Sequence, residues 1–487
     1  MTKQLKKEDS LLINKIKNIH FVGIKGVGMA PLAIIAKEAG FKVTGCDVDK
    51  AFITDESLKK AGIDVKIGFN ALHVGDADLV ITTGAHGGFD NVENVEAKIQ
   101  NIPVWTQGEA VGKFMDGEIF GRKFKGISVS GSHGKTTTTA MIATVLKVNS
   151  MDPSFLVGTG SISSLGSSGH FGKGEYFIAE ADEYSTEPKY NKTPKLLWQK
   201  PLNAVITNIE FDHPDVYASI DDLKNTFEKF SQNISGEGAL IACFDDQETK
   251  SLIKNYKKRM ITYGFSSAAD FYIKKYSLEE DRVYFWVNAK DTLIGQFILN
   301  VIGEHNILNA LCAIVVSLEL GLSAEKIKKG LLAFNGSKRR LEFKGKLNSG
   351  AMLYDDYAHH PTEIKSTLTA LKKSFPNKKI VCIFQPHTYS RTKSLFEQFI
   401  GSFTNADEVI LTDIYSSLRE KEDLSVSSKK LSDEVSRFKK EVHYIAKLED
   451  VVKYLFQKGY GENFIIITMG AGDVYEIAED VLKWKNL

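Results

Sequence analysis

Short apolar runs alternate with amphipathic stretches along almost the whole chain, and this rhythm limits the fold more than any other feature. "IHFVGI", "FKVTGCD", "ADLVITTG" and "IPVWT" come first. "GISVSGS", "EYFIAEAD" and "NAVITNIE" repeat the style, and "MLYDDYA", "KIVCIFQP", "EVILTDIY" and "FIIITMGAG" follow. A strand buried on both faces reads as a continuous apolar run, and a helix such as "MAPLAIIAKEAG" between two strands is what a parallel crossover requires. The pattern predicts an α/β fold of parallel sheets with helices on both faces. A chain of 487 residues exceeds one ordinary core. Breaks near "EAVGKFMDG" and "GSKRRLEFKGKLNSG" divide it into blocks of 1–118, 119–335 and 336–487.

Charge and cysteine usage narrow the classes of function. Lys+Arg 62 nearly balances Asp+Glu 61, so no basic excess points to nucleic acid beyond short surface runs such as "KKEDS". No apolar run is long enough to cross a bilayer. The opening "MTKQLKKEDSLLINKIKN" lacks an apolar signal region, which predicts a cytoplasmic protein without a membrane partner. Cys46, Cys243, Cys312 and Cys382 are widely spaced, and the last three sit in apolar runs. They are expected to be reduced, buried, small apolar side chains.

Two glycine loops follow strands. In the first, Gly23, Gly26, Val27 and Gly28 turn into a helix, and the next strand ends at Asp47. This is most of a dinucleotide fingerprint, and a nicotinamide dehydrogenase is one reading of it. Pro31 stands where the third glycine belongs, which weakens that reading. Proline is tolerated in the first turn of a helix, where its missing N–H has no intrahelical partner. The turn still aims amides and a helix N-terminus at an anion.

The second loop is the stronger signal. "FKGISVSGSHGKTTTTAMIATVL" runs from a strand through Gly131, Ser132, His133, Gly134, Lys135, Thr136 and Thr137 into a helix. Val129 fills the first position of the full P-loop pattern, and the shorter G-x-x-G-K-T keeps its physics. Backbone amides turn inward around phosphate, Lys135 reaches the β- and γ-phosphates, and the Thr136 hydroxyl suits Mg2+. "EYFIAEADEYS" and "VITNIEFDHPDVY" place Glu180, Asp182 and Glu183, and Asn208, Glu210, Asp212, His213 and Asp215, at strand ends where α/β ligands gather. Asp212-His213-Pro214 could equally start a helix.

Across these segments the chain resembles the Mur ligases, which build the peptide of bacterial cell-wall precursors. The resemblance rests on "HFVGIKGVGM", "GSHGKTTTT", "EADE", "TNIEFDHPD", "GEHNILNALCAI", "KRRLEF", "DDYAHHPTEI", "FQPHTYSRT", "LTDIY" and "MGAGD", in order. It implies a Rossmann-like UDP-sugar domain at 1–118, a P-loop ATP domain at 119–335 and a Rossmann-like amino-acid domain at 336–487. It also implies ATP and Mg2+, and an acyl phosphate on a muramoyl carboxylate that an amine then attacks. By resemblance Gly23, Gly26, Val27, Gly28 and Asp47 meet the UDP-sugar, while Gly131 to Thr137, Asn306, Asn309, Arg340 and Asp356 meet ATP. Thr136, Glu180 and His213 hold metal. Lys135, Glu180, His213, Arg340 and His359 or His360 serve the reaction. Asn306 and Asn309 are three apart and share a helix face.

"FQPHTYSRTK" is similar to the members that join L-alanine to UDP-N-acetylmuramate, with His387, Tyr389 and Arg391 at the amino acid. An arginine there suits a small carboxylate bidentately. The members that recycle an intact tripeptide are the alternative, and an ATP-binding protein without turnover is a further one. A monomer or a homodimer is expected. Lys25 replaces a common glycine, Gln107 stands where arginine is frequent, "TGAHGGFDN" is unusual, and "YSTEPKYNKTPKLLWQKP" is a long connection. Lys224 and Lys229 are the only guesses for a carbamylated lysine of the kind some members carry. Arg339 reads as a surface salt bridge.

Overall fold

The computed structural model describes residues 16–416, 420 and 422–483. The run "KKEDS" and the polar start of the chain lie outside the described residues. Among the described residues, no helix is long and apolar enough to cross a membrane.

The N-terminal sheet has five parallel strands in the spatial order Val65–Ile67, Lys42–Asp47, Asn18–Val22, Leu79–Thr82, Val104–Thr106. Strand order reverses beside Asn18–Val22, so the turn at Gly23 opens where ligands collect in such sheets. Helix Ala30–Glu38 follows, with Pro31 within its first two positions as expected. Its apolar face is buried in a cluster that also takes Leu156, Phe177 and Ala179 from the next sheet. A Cβ on Gly169 would stand 2.4 Å from the Pro31 carbonyl oxygen, so only glycine admits this approach.

The central sheet has ten strands. Its parallel part runs Met260–Gly264, Leu240–Cys243, Asn203–Ile206, Lys125–Ser130, Tyr176–Glu180 and Ser154–Leu156. Helices Lys135–Val148 and Glu304–Glu319 cover one face and are buried along most of their length. The expected parallel pairing holds for these six strands and gives way at the edge. Phe271–Leu278, Val283–Ala289 and Thr292–Leu299 form an antiparallel meander at one edge. Burial shows why: Val283–Ala289 alternates buried with half-buried residues over most of its length, while Phe271–Leu278 is largely exposed or half-buried, as an edge facing water on one side allows.

The C-terminal sheet is ordered Glu342–Lys346, Met352–Asp356, Phe464–Met469, Lys379–Phe384, Glu408–Leu411, Val442–Tyr444, antiparallel only at its first pair. It docks on the central domain through hydrogen bonds and ion pairs, including Thr362 Oγ1 to Glu210 Oε1 at 2.6 Å. All four cysteines are free and buried, as their apolar surroundings predicted. Asp212-His213-Pro214 starts no helix. His213 is left-handed at φ +59, and the next helix begins at Ile220.

Candidate functional site

The second glycine loop lies between strand Lys125–Ser130 and helix Lys135–Val148. Gly131 has φ +129 and Gly134 φ +82, and a Cβ would lie 2.0 Å from Thr207 Oγ1 and 2.5 Å from Asn309 Oδ1 respectively. Both positions therefore require glycine for conformation and for space. Ser132 donates its N–H to the Asn208 carbonyl at 3.1 Å, and His133 donates to Asn208 Oδ1 at 2.8 Å, so Asn208 braces the loop. Lys135 folds back on the Gly131 and Ser132 carbonyls and pairs with Glu183 at 2.9 Å. Burial would lower its pKa, but Glu183, Asp182 and Glu180 hold it above the ordinary lysine value.

Two groups of metal-type donors flank this lysine. Thr136 Oγ1 donates to Glu180 Oε2 at 3.0 Å and receives Arg340 Nη2 at 3.2 Å. Burial raises the Glu180 carboxyl, against the Gly158 N–H, Arg340, Lys135 and Thr136. On the other side Asp182, Glu183 and His213 each offer a donor atom, all within 4.8 Å of one another. Hard carboxylate and hydroxyl oxygens with one imidazole suit Mg2+. Of the three expected metal residues, Thr136 and Glu180 lie together, while His213 lies nearer Glu183, 3.8 Å away. Glu183 is the residue that strand-end placement alone left without a role.

A cleft between the central and C-terminal domains is lined by His133, Gly134, Asn306, Asn309, Arg340 and Asp356. Asn309 donates to Asn306 Oδ1 at 3.1 Å, on the shared helix face. Asp356 accepts Thr367 Oγ1 at 2.6 Å, and burial pushes its pKa up to about 6. His133 bridges the two domains, with Nδ1 3.1 Å from Glu363 and Nε2 3.0 Å from Glu210. Burial would lower its pKa, but the two carboxylates raise it to about 10. Thr137, 8% exposed, lines the same cleft. Arg339 is no surface salt bridge. It is buried, its Nε meets Asp355 at 3.2 Å and its Nη1 donates to the Gly472 carbonyl at 3.0 Å.

The paired histidines differ. His360 is fully buried and its Nδ1 accepts the Thr362 N–H at 3.3 Å as part of a capping box. His359 places Nδ1 3.0 Å from the Tyr357 carbonyl, and its ring stands 6.1 Å from that of His387. Burial lowers its pKa to about 4, so it is neutral at pH 7 with Nε2 as a lone-pair acceptor.

His387 stacks on Tyr415 at 5.6 Å, a contact with no signal in the local sequence. Arg391 Nη1 meets His387 Nδ1 at 3.3 Å. Its Nε and Nη2 lie 3.0 and 2.9 Å from Asp212 Oδ1, both side chains being almost fully buried. The guanidinium expected at the amino acid is thus also tied to the His213 loop. Tyr389 begins helix Tyr389–Ser394, and its backbone N–H donates to Glu420.

At the first loop Gly23 has φ +75, and a Cβ would lie 2.4 Å from Thr83 Cγ2. Gly26, Val27 and Gly28 are half-buried at the turn. Asp47 accepts the Lys25 N–H at 2.7 Å and the Val48 N–H at 2.8 Å. The Lys25 ammonium is buried against the next loop, donating to the Lys50 carbonyl at 2.8 Å. It ties two loops together and does not point into the turn. Gln107 Nε2 donates to the Gly28 carbonyl at 3.3 Å.

The three α/β sheets and the strand–loop–helix at Gly131–Thr137 define a multidomain P-loop nucleotide-binding protein, and family models narrow the class. "Mur ligase family, catalytic domain" matches residues 18–118, "Mur ligase middle domain" 129–317, and "Mur ligase, glutamate ligase domain" 339–472. The chain belongs to the Mur ligase family. Within it, the chain is 39% identical over 467 residues to a UDP-N-acetylmuramate–L-alanine ligase of Desulfitobacterium hafniense, covering 96% of this chain and 99% of the relative. It is 41% identical to the enzyme of the same name from Caldanaerobacter subterraneus, covering 97% and 98%. The crystal structure of the UDP-N-acetylmuramate–alanine ligase of Thermotoga maritima superposes with TM-score 0.79 at 28% identity, over 96% of this chain and 99% of that one. A murein peptide ligase of Psychrobacter arcticus shares the fold, with TM-score 0.69 at 24% identity, over 96% and 98%.

Proposed function

We propose that this protein joins L-alanine to the lactyl carboxylate of UDP-N-acetylmuramate at the expense of ATP, in peptidoglycan precursor synthesis. The observation that supports the reading is the Arg391–Asp212 pair, which ties the segment expected at the amino acid to the loop that carries His213. Relatives of that activity at about 40% identity over nearly the whole chain support it. We assign the UDP-sugar to residues 1–118, ATP to 119–335 and the amino acid to 336–487.

A carboxylate resists amines until one of its oxygens becomes a leaving group. The γ-phosphoryl group of ATP passes to a carboxylate oxygen, giving ADP and an acyl phosphate. The amine nitrogen then bonds to the acyl carbon and the C–O bond to phosphate breaks. Lys135 and Arg340 reach the transferring oxygens, and the loop amides hold the phosphates. Thr136 and Glu180 would hold one Mg2+, and His213 with Glu183 a second. Such ions supply charge neutralisation between two anions. Asn306, Asn309 and Asp356 orient the nucleoside. His387 and Arg391 orient the amino acid. Of the two histidines, His359 takes the amine proton, because it is neutral with Nε2 unspent, whereas His360 Nδ1 is committed to a helix cap.

The test is phosphate release from ATP with UDP-N-acetylmuramate and one amine at a time. L-Alanine should support turnover. Release with L-alanyl-γ-D-glutamyl-meso-diaminopimelate and none with L-alanine would replace this reading by tripeptide recycling.

A further inference from the structure

The loop after Thr83 and the long connection after Glu183 fold against each other. Ser185–Glu187 and Asn191–Pro194 pair antiparallel as a hairpin. That hairpin and the turn after it seat on glycines of the N-terminal domain. A Cβ at Gly84 would stand 3.0 Å from Pro188 Cδ, at Gly88 2.2 Å from Glu187 Oε1, at Gly108 2.7 Å from Thr186 Oγ1, and at Gly112 2.2 Å from the Trp198 carbonyl oxygen. At the hairpin tip Lys189 and Tyr190 both reach Asp90, the Tyr190 hydroxyl at 2.8 Å. At its root Lys195 Nζ donates to Asp182 Oδ2 at 2.8 Å. The hairpin therefore runs from the metal-type carboxylates to loop 83–91.

That loop carries His86. Its backbone is left-handed at φ +54, and its carbonyl accepts Asn91 Nδ2 at 3.0 Å. Its ring centroid lies 5.0 Å from that of Phe69, and its Nε2 lies 3.5 Å from Asp47 Oδ1. Its Cδ2 is 3.4 Å from the place a Gly23 Cβ would occupy. The imidazole thus stands at the mouth of the first glycine turn. Position 107 supplies no cation there, since Gln107 spends its amide on Gly28.

We propose that His86 donates an N–H to the diphosphate of the UDP-sugar, and that hairpin 185–194 is the positioning element that holds it there. This rests on the assignment of the UDP-sugar to the first domain. Such a substrate has its diphosphate at one end and its reacting carboxylate at the other. A rigid spacer rooted at Asp182 and ending on Asp90 fixes the distance between the two anchors, so binding in the turn delivers the carboxylate to the phosphoryl centre.

Calorimetric titration of the full chain with UDP, UDP-N-acetylmuramate and an ATP analogue tests this, together with steady-state kinetics. His86→Gln should weaken both uridine ligands about tenfold, raise KM for the sugar with kcat kept, and leave the ATP analogue unchanged. Gly88→Ala, which wedges the loop off Glu187, should weaken them similarly. The tip variant Lys189→Ala with Tyr190→Phe should do so severalfold. Adding either change to His86→Gln should weaken binding no further. Wild-type affinity in His86→Gln, or hairpin changes that add fully to it, would overturn the proposal. Failure of the unaltered protein to bind UDP would overturn the assignment beneath it.

Discussion

Replacing Arg391 by methionine removes the cation from a deeply buried charge pair between the central and C-terminal domains. Asp212 is 4% exposed, and besides Arg391 it accepts the His213 N–H at 2.7 Å. Despite burial, His213 and Arg391 hold its carboxyl well below the usual carboxylate range. Stranding such a charge costs about 3–5 kcal/mol when it cannot reach water. Separation of the C-terminal domain would return it to water, so the penalty falls on the docked state. Undocking therefore limits the cost, and the docking equilibrium shifts by about 10²-fold or more, taking about 3 kcal/mol at 1.4 kcal/mol per decade. Amide hydrogen exchange should read this directly, as faster exchange in 211–217 and 387–392 with helix Lys135–Val148 still protected. Arg391→Met with Asp212→Asn leaves no charge and should recover most of the protection. Equal exchange in the single and double variants would refute the reasoning, since the pair would then not hold the domains.

Lys135→Ala should abolish amine-dependent phosphate release, and because it strands Glu183, 1% exposed, it should also lower Tm by several degrees in calorimetry. Gly134→Ala puts a Cβ 2.5 Å from Asn309 Oδ1 at a left-handed position, so nucleotide affinity should fall at least tenfold, as read by a fluorescent ATP analogue. His133 has its folded pKa raised to about 10, so the stability it lends to docking is full below about 6.5 and is lost as pH rises through 10. Exchange across the 359–363 segment should quicken from pH 7 to 10 in the wild type. In His133→Gln it should be fast and show only the intrinsic pH dependence.

Much of the fold was legible because periodicity encodes burial. "KIVCIF" and "FIIITM" could only be interior parallel strands, and both glycine loops lie where strand meets helix. The meander at 271–299 was not read, although the alternation in 283–289 carries part of the signal, because the parallel rhythm on either side dominated. At the site, the glycine loop pointed to Lys135 and Thr136, and the strand ends to Glu180 and His213, and these side chains lie around one another in the structure. Their partners were invisible, since Asp212 and Arg391 are 179 residues apart and no local pattern records such a pairing. The same holds for Tyr415 on His387 and for Glu187 under Gly88. Arg339 was misjudged because an arginine beside a hinge gives no hint that two backbone carbonyls wait for it.

The apolar cluster shared by helix Ala30–Glu38 and the strands at Leu156 and Phe177 has an evolutionary corollary. A segment boundary near residue 118 separates the chain in sequence but cuts through one interior, and Gly169 lies directly against the backbone of residue 31. Recombination between homologous genes should therefore tolerate crossovers in the hinge near Ser337, where chiefly polar contacts are exchanged. Crossovers near 118 would pair halves of a core that had not changed together. The unit that descends intact is the first two sheets, with the third as the exchangeable part.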